Sequence, residues 1–406
     1  MPIMLFGKDC IKGRGAYKMR TIHVIVATGV WDLDNLTYRR HRFAEFLQKQ
    51  QETEEVIWIC PGKKQTPEVT KLENGIYQWV ISDLGNHKAQ RFARFIPLFY
   101  QKKLRGLSNY LAEKKGSCSV KLWYTYPAFP SLHKIFAWDQ IVYDCSDLWA
   151  EQLSGKFSIL SYFKQKVIDQ SEQKIVGKAS YIICTSSFLK EELISRTPAY
   201  RNKIYTYENG VEYRLFQKQE NSEPLIEKDG LTIGYIGGIK PKLDFALIQE
   251  IAQKRKEWSI LLVGPDGTNS SQAFMELLKA PNIRWTGSVP RNQVADYMQM
   301  LDIGIMPYKD TSYNKAIFPL KLFEFLAAGK PVIGMNLPST REYAEEGVYE
   351  LLQGEVEADP FIQACEKMAN SADNQEWKER RKQLAKEKDW ESIFQEIIHI
   401  NKETSM

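Results

Sequence analysis

YNKAIFPLKLFEFLAAGKPVIG, residues 313–334, reads as loop, helix, tight turn and strand. Pro319 falls where a helix accepts proline, in its first turn. Leu320, Phe323 and Leu326 or Ala327 then follow at helical spacing and predict a buried stripe. Gly329 is a helix stop, and Pro331 keeps the helix from continuing. Pro331-Val332-Ile333 starts a short apolar strand. Lys321 and Glu324 lie three apart on one helical face, near the N-terminus, where free N–H groups and the dipole favour an anion. A lysine for phosphate and a carboxylate for sugar hydroxyls suit a nucleotide. An ordinary surface salt bridge at this spacing fits the same two residues equally well.

The strand-and-helix alternation extends both ways from this stretch. Upstream, Ile303 to Met306 is a strand running into Pro307-Tyr308, and Leu231 to Tyr235 is a strand entering Ile236-Gly237-Gly238-Ile239. Paired glycines at a strand end let backbone N–H groups approach an anion. Downstream, helices are expected over Pro360–Ala369 and Asn374–Ile400. A separate series opens the chain, with strands at Thr21–Ala27, Glu55–Pro61, Gly75–Ser82, Ser119–Thr125, Gln140–Cys145, Ala179–Thr185 and Lys203–Tyr207. Between the series, residues 211–230 lack apolar periodicity and read as a linker. The expected organisation is a disordered extension at 1–20, a Rossmann-like domain at 21–210, the linker, and a second Rossmann-like domain at 231–375. Helices at 376–406 should return to the first domain through Trp390, Phe394 and Ile398. Met19, just before the first strand, is an alternative start of translation.

Composition narrows the function. The 406 residues exceed one ordinary domain, and 43% hydrophobic with 26% charged residues is a globular balance. A net charge of +5, mixed along the chain, does not point to nucleic acid. No apolar run approaches the ~20 residues that span a bilayer, and no secretion leader is visible. The six cysteines are scattered and read as small buried hydrophobes of a reducing compartment.

Several residues in the first half carry candidate chemistry. Asp32-Leu33-Asp34 has the D-x-D form that can hold a metal on nucleotide-sugar phosphates, but after a first strand it reads as a solvated turn. His23, inside a strand, reads as a core residue. Tyr38 to Gln50 is a helix with Arg39, Arg40, His41 and Arg42 in its first turn, opposing the dipole. Contact with an acidic ligand and plain solvated charge explain these equally. Lys88 to Lys115 interleaves eight basic residues with aromatics, as a helix on an anionic membrane would, or as an ordinary helix with a basic outer face. Asp147 lies just beyond the end of the Gln140–Cys145 strand, where ligand crevices form, and Asp144 lies within it. Asp147 is the first candidate for a base and Asp144 the second, with a structural loop cap as the alternative.

YDCSDLW at 143–149, ASYIICTSSFLKEEL at 179–193, ENGVEYRLF at 208–216, GYIGGI at 234–239, MPY at 306–308 and PLKLFEFLAAGKPV at 319–332 together resemble a GT-B glycosyltransferase, in particular family 4. The last stretch is the most specific. The resemblance implies an α/β fold of two facing Rossmann-like domains with parallel sheets, a C-terminal helix crossing back to the first. It places Glu324 on ribose hydroxyls and Lys321 at a diphosphate, with Gly237 and Gly238 making room. Pro307, Tyr308 and Leu320 complete the expected donor side; Gly29, Arg40 and His41 are the expected acceptor side. The retaining family 4 pattern has a second glutamate eight residues before the ribose one, where this chain has Ala316. An inverting route then needs a carboxylate base. Neither cofactor nor metal is implied. The expected protein is cytoplasmic and peripheral on the inner membrane face. It would move a sugar from a UDP-sugar to a lipid-linked saccharide for cell-wall polysaccharide. A nucleotide-sugar epimerase of the same fold and a non-catalytic member of a polysaccharide complex are the alternatives.

Overall fold

The computed structural model describes residues 19–32, 37–63, 69–85, 88–150, 159–217 and 230–403. Residues 1–18 of the expected N-terminal extension, Leu33-Asp34 of the D-x-D triplet and most of the linker lie outside these residues, whereas Arg20, expected in that extension, begins the first strand.

Apolar strand sequences give two sheets. The first contains β1 (Arg20–Val26), β2 (Thr53–Gly62), β3 (Thr70–Lys71), β4 (Tyr77–Ser82), β5 (Cys118–Tyr124), β6 (Gln140–Cys145), β7 (Tyr181–Cys184) and β8 (Ile204–Thr206), in the order β3-β4-β2-β1-β5-β6-β7-β8. The second contains β9 (Thr232–Ile236), β10 (Ser259–Val263), β11 (Ile283–Trp285), β12 (Ile303–Met306), β13 (Val332–Met335) and β14 (Tyr349–Leu352), in the order β11-β10-β9-β12-β13-β14. Every pairing is parallel except β3 with β4. Strands such as TIHVIV and SILLV are apolar on both faces because helices cover both faces of a parallel sheet. The strand order reverses between β1 and β5 and again between β9 and β12, and each reversal opens a crevice at the strand C-termini. The sequence reading missed β3 and β14.

The last helix, Trp390–Glu403, belongs to the first domain. Trp390, Ile393, Phe394 and Ile397 join a core with Phe43, Phe46, Trp58 and Trp123. Phe394 meets Phe43 and Phe46 at ring distances of 5.1 and 5.5 Å. The helix expected over Asn374–Ile400 is in fact two, Gln375–Glu387 and Trp390–Glu403. The break is where the chain crosses between domains. Val211 donates to the Lys388 carbonyl and accepts from Trp390 N, so backbone bonding there competes with helix continuation.

Lys88–Lys115, a helical region that its sequence interrupts at Pro97, is broken there and at a second place. It breaks into two 3-10 turns, Lys88–Phe95 and Gln101–Leu104, and two α-helical pieces, Pro97–Tyr100 and Arg105–Lys114. Pro97 forces Ile96 into extended backbone and ends the first piece. Phe95, Tyr100, Leu104 and Leu107 are core residues, whereas Leu98 is 84% exposed. Three of the cations are engaged: Arg94 with Asp83, Lys103 with Ser82 and Lys114 with Glu55. No helix among the described residues is long and apolar enough to cross a membrane.

Candidate active site

The two crevices face each other across a cavity of about 220 Å³. Its second-domain wall is built by the stretch that opened the sequence reading. The helix Leu320–Ala327 buries Leu322, Phe323, Phe325, Leu326 and Ala327 in the core. Leu320, Lys321 and Glu324 remain partly open, so Leu320 belongs to the cavity face rather than the buried stripe. Gly329 takes φ 76°, the left-handed conformation that ends a helix cleanly. Arg381, fully buried, donates to the carbonyls of Gly329, Gly347, Ser371 and Ala372 and so fixes the far end of this wall. Burial lowers its pKa to about 10.

Lys321 and Glu324 form a 2.6 Å ion pair, with 22% and 16% of their side chains exposed. The spacing therefore does make an i,i+3 salt bridge, but a half-buried one at a cavity. Gly237 sits directly beneath it at φ 156°, and a Cβ there would stand 2.9 Å from Lys321 Cε. A side chain at 237 would push the lysine away. Gly238 and Tyr308 also line the cavity; Pro307 instead gives its carbonyl to Asp244 N just behind it. Two lysines that the sequence reading passed over, Lys240 and Lys242, line the cavity after the glycine pair. Lys242 Nζ lies 4.4 Å from the Tyr308 ring centre. Their signal was visible: two bases, separated by one proline, directly following a glycine turn.

The first-domain wall corrects several expectations. Asp144 lines the cavity but is bound to Arg39, Nε to Oδ2 at 3.0 Å, with both side chains almost fully buried. Arg39 also donates to the Glu208 carbonyl and lies 5.6 and 5.8 Å from the Trp390 and Phe394 ring centres. A carboxylate so committed holds the wall together and is a poor base. His41 is buried and structural, its Nδ1 accepting from Tyr38 N and its Nε2 meeting the Trp31 carbonyl. Gly29 is a structural turn residue, its carbonyl accepting from Trp58 Nε1. The basic first turn thus carries little unbalanced charge, since Arg39 has Asp144 and Arg42 has Glu212. Arg40 lines the cavity with its guanidinium 4.3 Å from the Tyr38 ring centre, and Lys240 of the second domain lies 5.8 Å from the same ring.

Asp147 also lines the cavity. The phenol of Tyr313, from the opposite wall, donates to Oδ1 at 3.3 Å, and Ser146 Oγ donates to Oδ2 at 3.4 Å. Burial pushes the Asp147 carboxyl above its ordinary range, while Lys242, Lys240 and Arg40 pull it back. The cavity lining holds Arg39, Arg40, Lys240, Lys242 and Lys321 against Asp144 and Asp147, so its cations outnumber its carboxylates. That surplus suits a doubly negative ligand such as a diphosphate. Residues 230–371 match the model for glycosyl transferases group 1. A Bacillus subtilis (strain 168) protein, TuaH, named provisionally as a teichuronic acid biosynthesis glycosyltransferase, is 47% identical over 94% of this chain and 97% of its own length. Among solved structures, sucrose-phosphate synthase of Thermosynechococcus elongatus superposes with a TM-score of 0.73 at 15% identity, over 95% of this chain and 99% of that one. Anabaena HepE, solved with UDP and glucose, gives 0.67 at 14% identity, over 93% and 98%. The fold is GT-B, and the chain belongs to the group 1 glycosyltransferases.

Proposed function

We propose that this glycosyltransferase takes its sugar from a UDP-sugar and adds it to a lipid-linked saccharide during synthesis of a cell-wall polysaccharide of the teichuronic acid type. The observation that carries the donor half is the Lys321–Glu324 pair standing over Gly237 at a helix N-terminus. UDP opens this pair: Glu324 turns to the ribose hydroxyls, and Lys321 joins Lys240 and Lys242 at the diphosphate. HepE, with UDP in its structure, and TuaH, with its name, support the donor and the pathway. UDP-glucuronate and UDP-N-acetylgalactosamine are the donors to try first.

Asp147 takes the acceptor proton. The acceptor oxygen bonds to the anomeric carbon, the bond from that carbon to the diphosphate oxygen breaks, and UDP leaves with the electron pair. The surplus of cavity cations over carboxylates stabilises that leaving charge, and no metal is required. The lipid-linked acceptor calls for contact with the cytoplasmic membrane face, through the exposed parts of Lys88–Lys115.

The test is release of UDP from a panel of UDP-sugars, with membrane lipid extract as acceptor source. Sugar-specific release that depends on the extract is expected, and EDTA should leave it within about twofold. Conversion of the donor to an epimer without UDP release would replace this reading with the epimerase one.

A further inference from the structure

Asp147 and Tyr313 come from different domains. Asp147 follows β6 in the first, and Tyr313 lies on the short helix Ser312–Ala316 in the second. The phenol is not loosely placed. Thr311 caps that helix, and the fully buried Asn314 donates to the carbonyls of Lys242 and Lys309, tying it to the lysine-bearing loop. Ser186 of the first domain donates to the Ala316 carbonyl at the helix end. The helix that carries the phenol is thus held to the donor-side loop through Asn314 and touches the first domain at its end, while the carboxylate belongs to the first domain.

We infer that Tyr313 is a positioning residue, which orients the Asp147 carboxylate for proton abstraction only while the two domains are closed on each other. The inference rests on the reading of Asp147 as the base. Oδ1 is committed to the phenol, and Oδ2, which accepts only a long 3.4 Å bond from the neighbouring Ser146 hydroxyl, receives the proton. The charged and titratable groups facing Asp147 are Lys240 and Lys242 from the second domain, Arg40 from the first, and Tyr313 itself. Tyr313 also feels Tyr38 and Tyr308, and its phenol is held well above its ordinary titration range, so it remains a donor at any working pH. A domain opening that breaks this contact leaves the carboxylate without its orienting donor, which protects a loaded donor from premature attack by water.

Tyr313→Phe keeps the ring and removes the donor. In the full-length protein, with UDP as probe, its melting temperature should stay within about 4 °C of the parent and its UDP affinity within about twofold. The carboxyl carbon of Asp147, followed by carbon NMR in aspartate-labelled protein and identified by its loss in Asp147→Asn, should titrate at higher pH in Tyr313→Phe, because a bond favouring the charged form is gone. Turnover of the donor selected from the panel should fall about tenfold or more, with its acid limb moved to higher pH. In an Asp147→Asn background the tyrosine change should cost nothing further. An unmoved Asp147 titration, or a Tyr313→Phe loss of equal size in the Asp147→Asn background, would overturn the inference. Full turnover by Asp147→Asn itself would instead remove the base reading on which it rests.

Discussion

Lys321 and Glu324 neutralise each other, and this shapes what their loss should do. On the proposed donor site, Glu324→Ala removes a charged acceptor for two ribose hydroxyls, so UDP and uridine should both weaken, by on the order of 1.5–3 kcal/mol. Lys321→Ala acts on phosphate and also frees Glu324, so UDP should weaken while uridine holds or tightens. Calorimetry with the two ligands separates these outcomes, and equal losses of both ligands in Lys321→Ala would remove the phosphate role. Asp144 is the contrasting carboxylate. Asp144→Asn leaves the Arg39 guanidinium buried without its counter-charge, and such a loss costs roughly 3–5 kcal/mol of stability. Its signature should be a lower unfolding midpoint in urea, whereas Asp147→Asn should retain the parental midpoint and UDP affinity and lose ~10²–10⁴-fold in transfer. If Asp144→Asn is stable and inactive while Asp147→Asn is active, the roles are reversed.

Elements were legible where pattern is local and hidden where long-range contacts decide. The helix after Pro319 was readable because proline, apolar spacing and Gly329 all mark the same boundaries. Asp144 looked like a site residue because nothing in YDCSDLW shows that Arg39, more than a hundred positions away, bonds to it. Tyr313 heads the most informative stretch of the chain, yet its partner is 166 residues off. In Lys88–Lys115 the interruption at Pro97 was legible, because proline is a local signal, whereas the burial of Phe95 and Tyr100 that makes the region a folded corner was not. The exposed remainder includes the basic residues Arg91, Lys102, Arg105 and Lys115 and the apolar Phe92 and Leu98. Basic residues near an anionic surface contribute about 1 kcal/mol each. The protein should therefore float with anionic vesicles, be released by high salt, and be released without unfolding in the triple variant Arg91→Glu, Lys102→Glu, Arg105→Glu. Equal flotation with neutral vesicles, or none with either, would reduce this face to a solvated surface.

At the scale of the whole molecule the chain passes between domains twice, and the passages are stitched together where Val211 meets Lys388 and Trp390. The second passage delivers Trp390 and Phe394 to the first domain's core, so Phe394→Ala should cost about 3–5 kcal/mol, and amide exchange should show the loss on the first sheet rather than the second. A loss spread evenly over both sheets would mean that the domains do not unfold separately. This stitching also imposes an order on synthesis. A ribosome adding ~5–20 residues per second needs roughly 10–40 s to travel from β8 to the final helix. During that interval Phe43 and Phe46 lack the Phe394 ring that packs against both, because Phe394 lies about 190 residues beyond β8. The first half therefore waits, incomplete and sticky, for that helix, and any holdase that guards this nascent chain should be released only once Trp390 and Phe394 have been made.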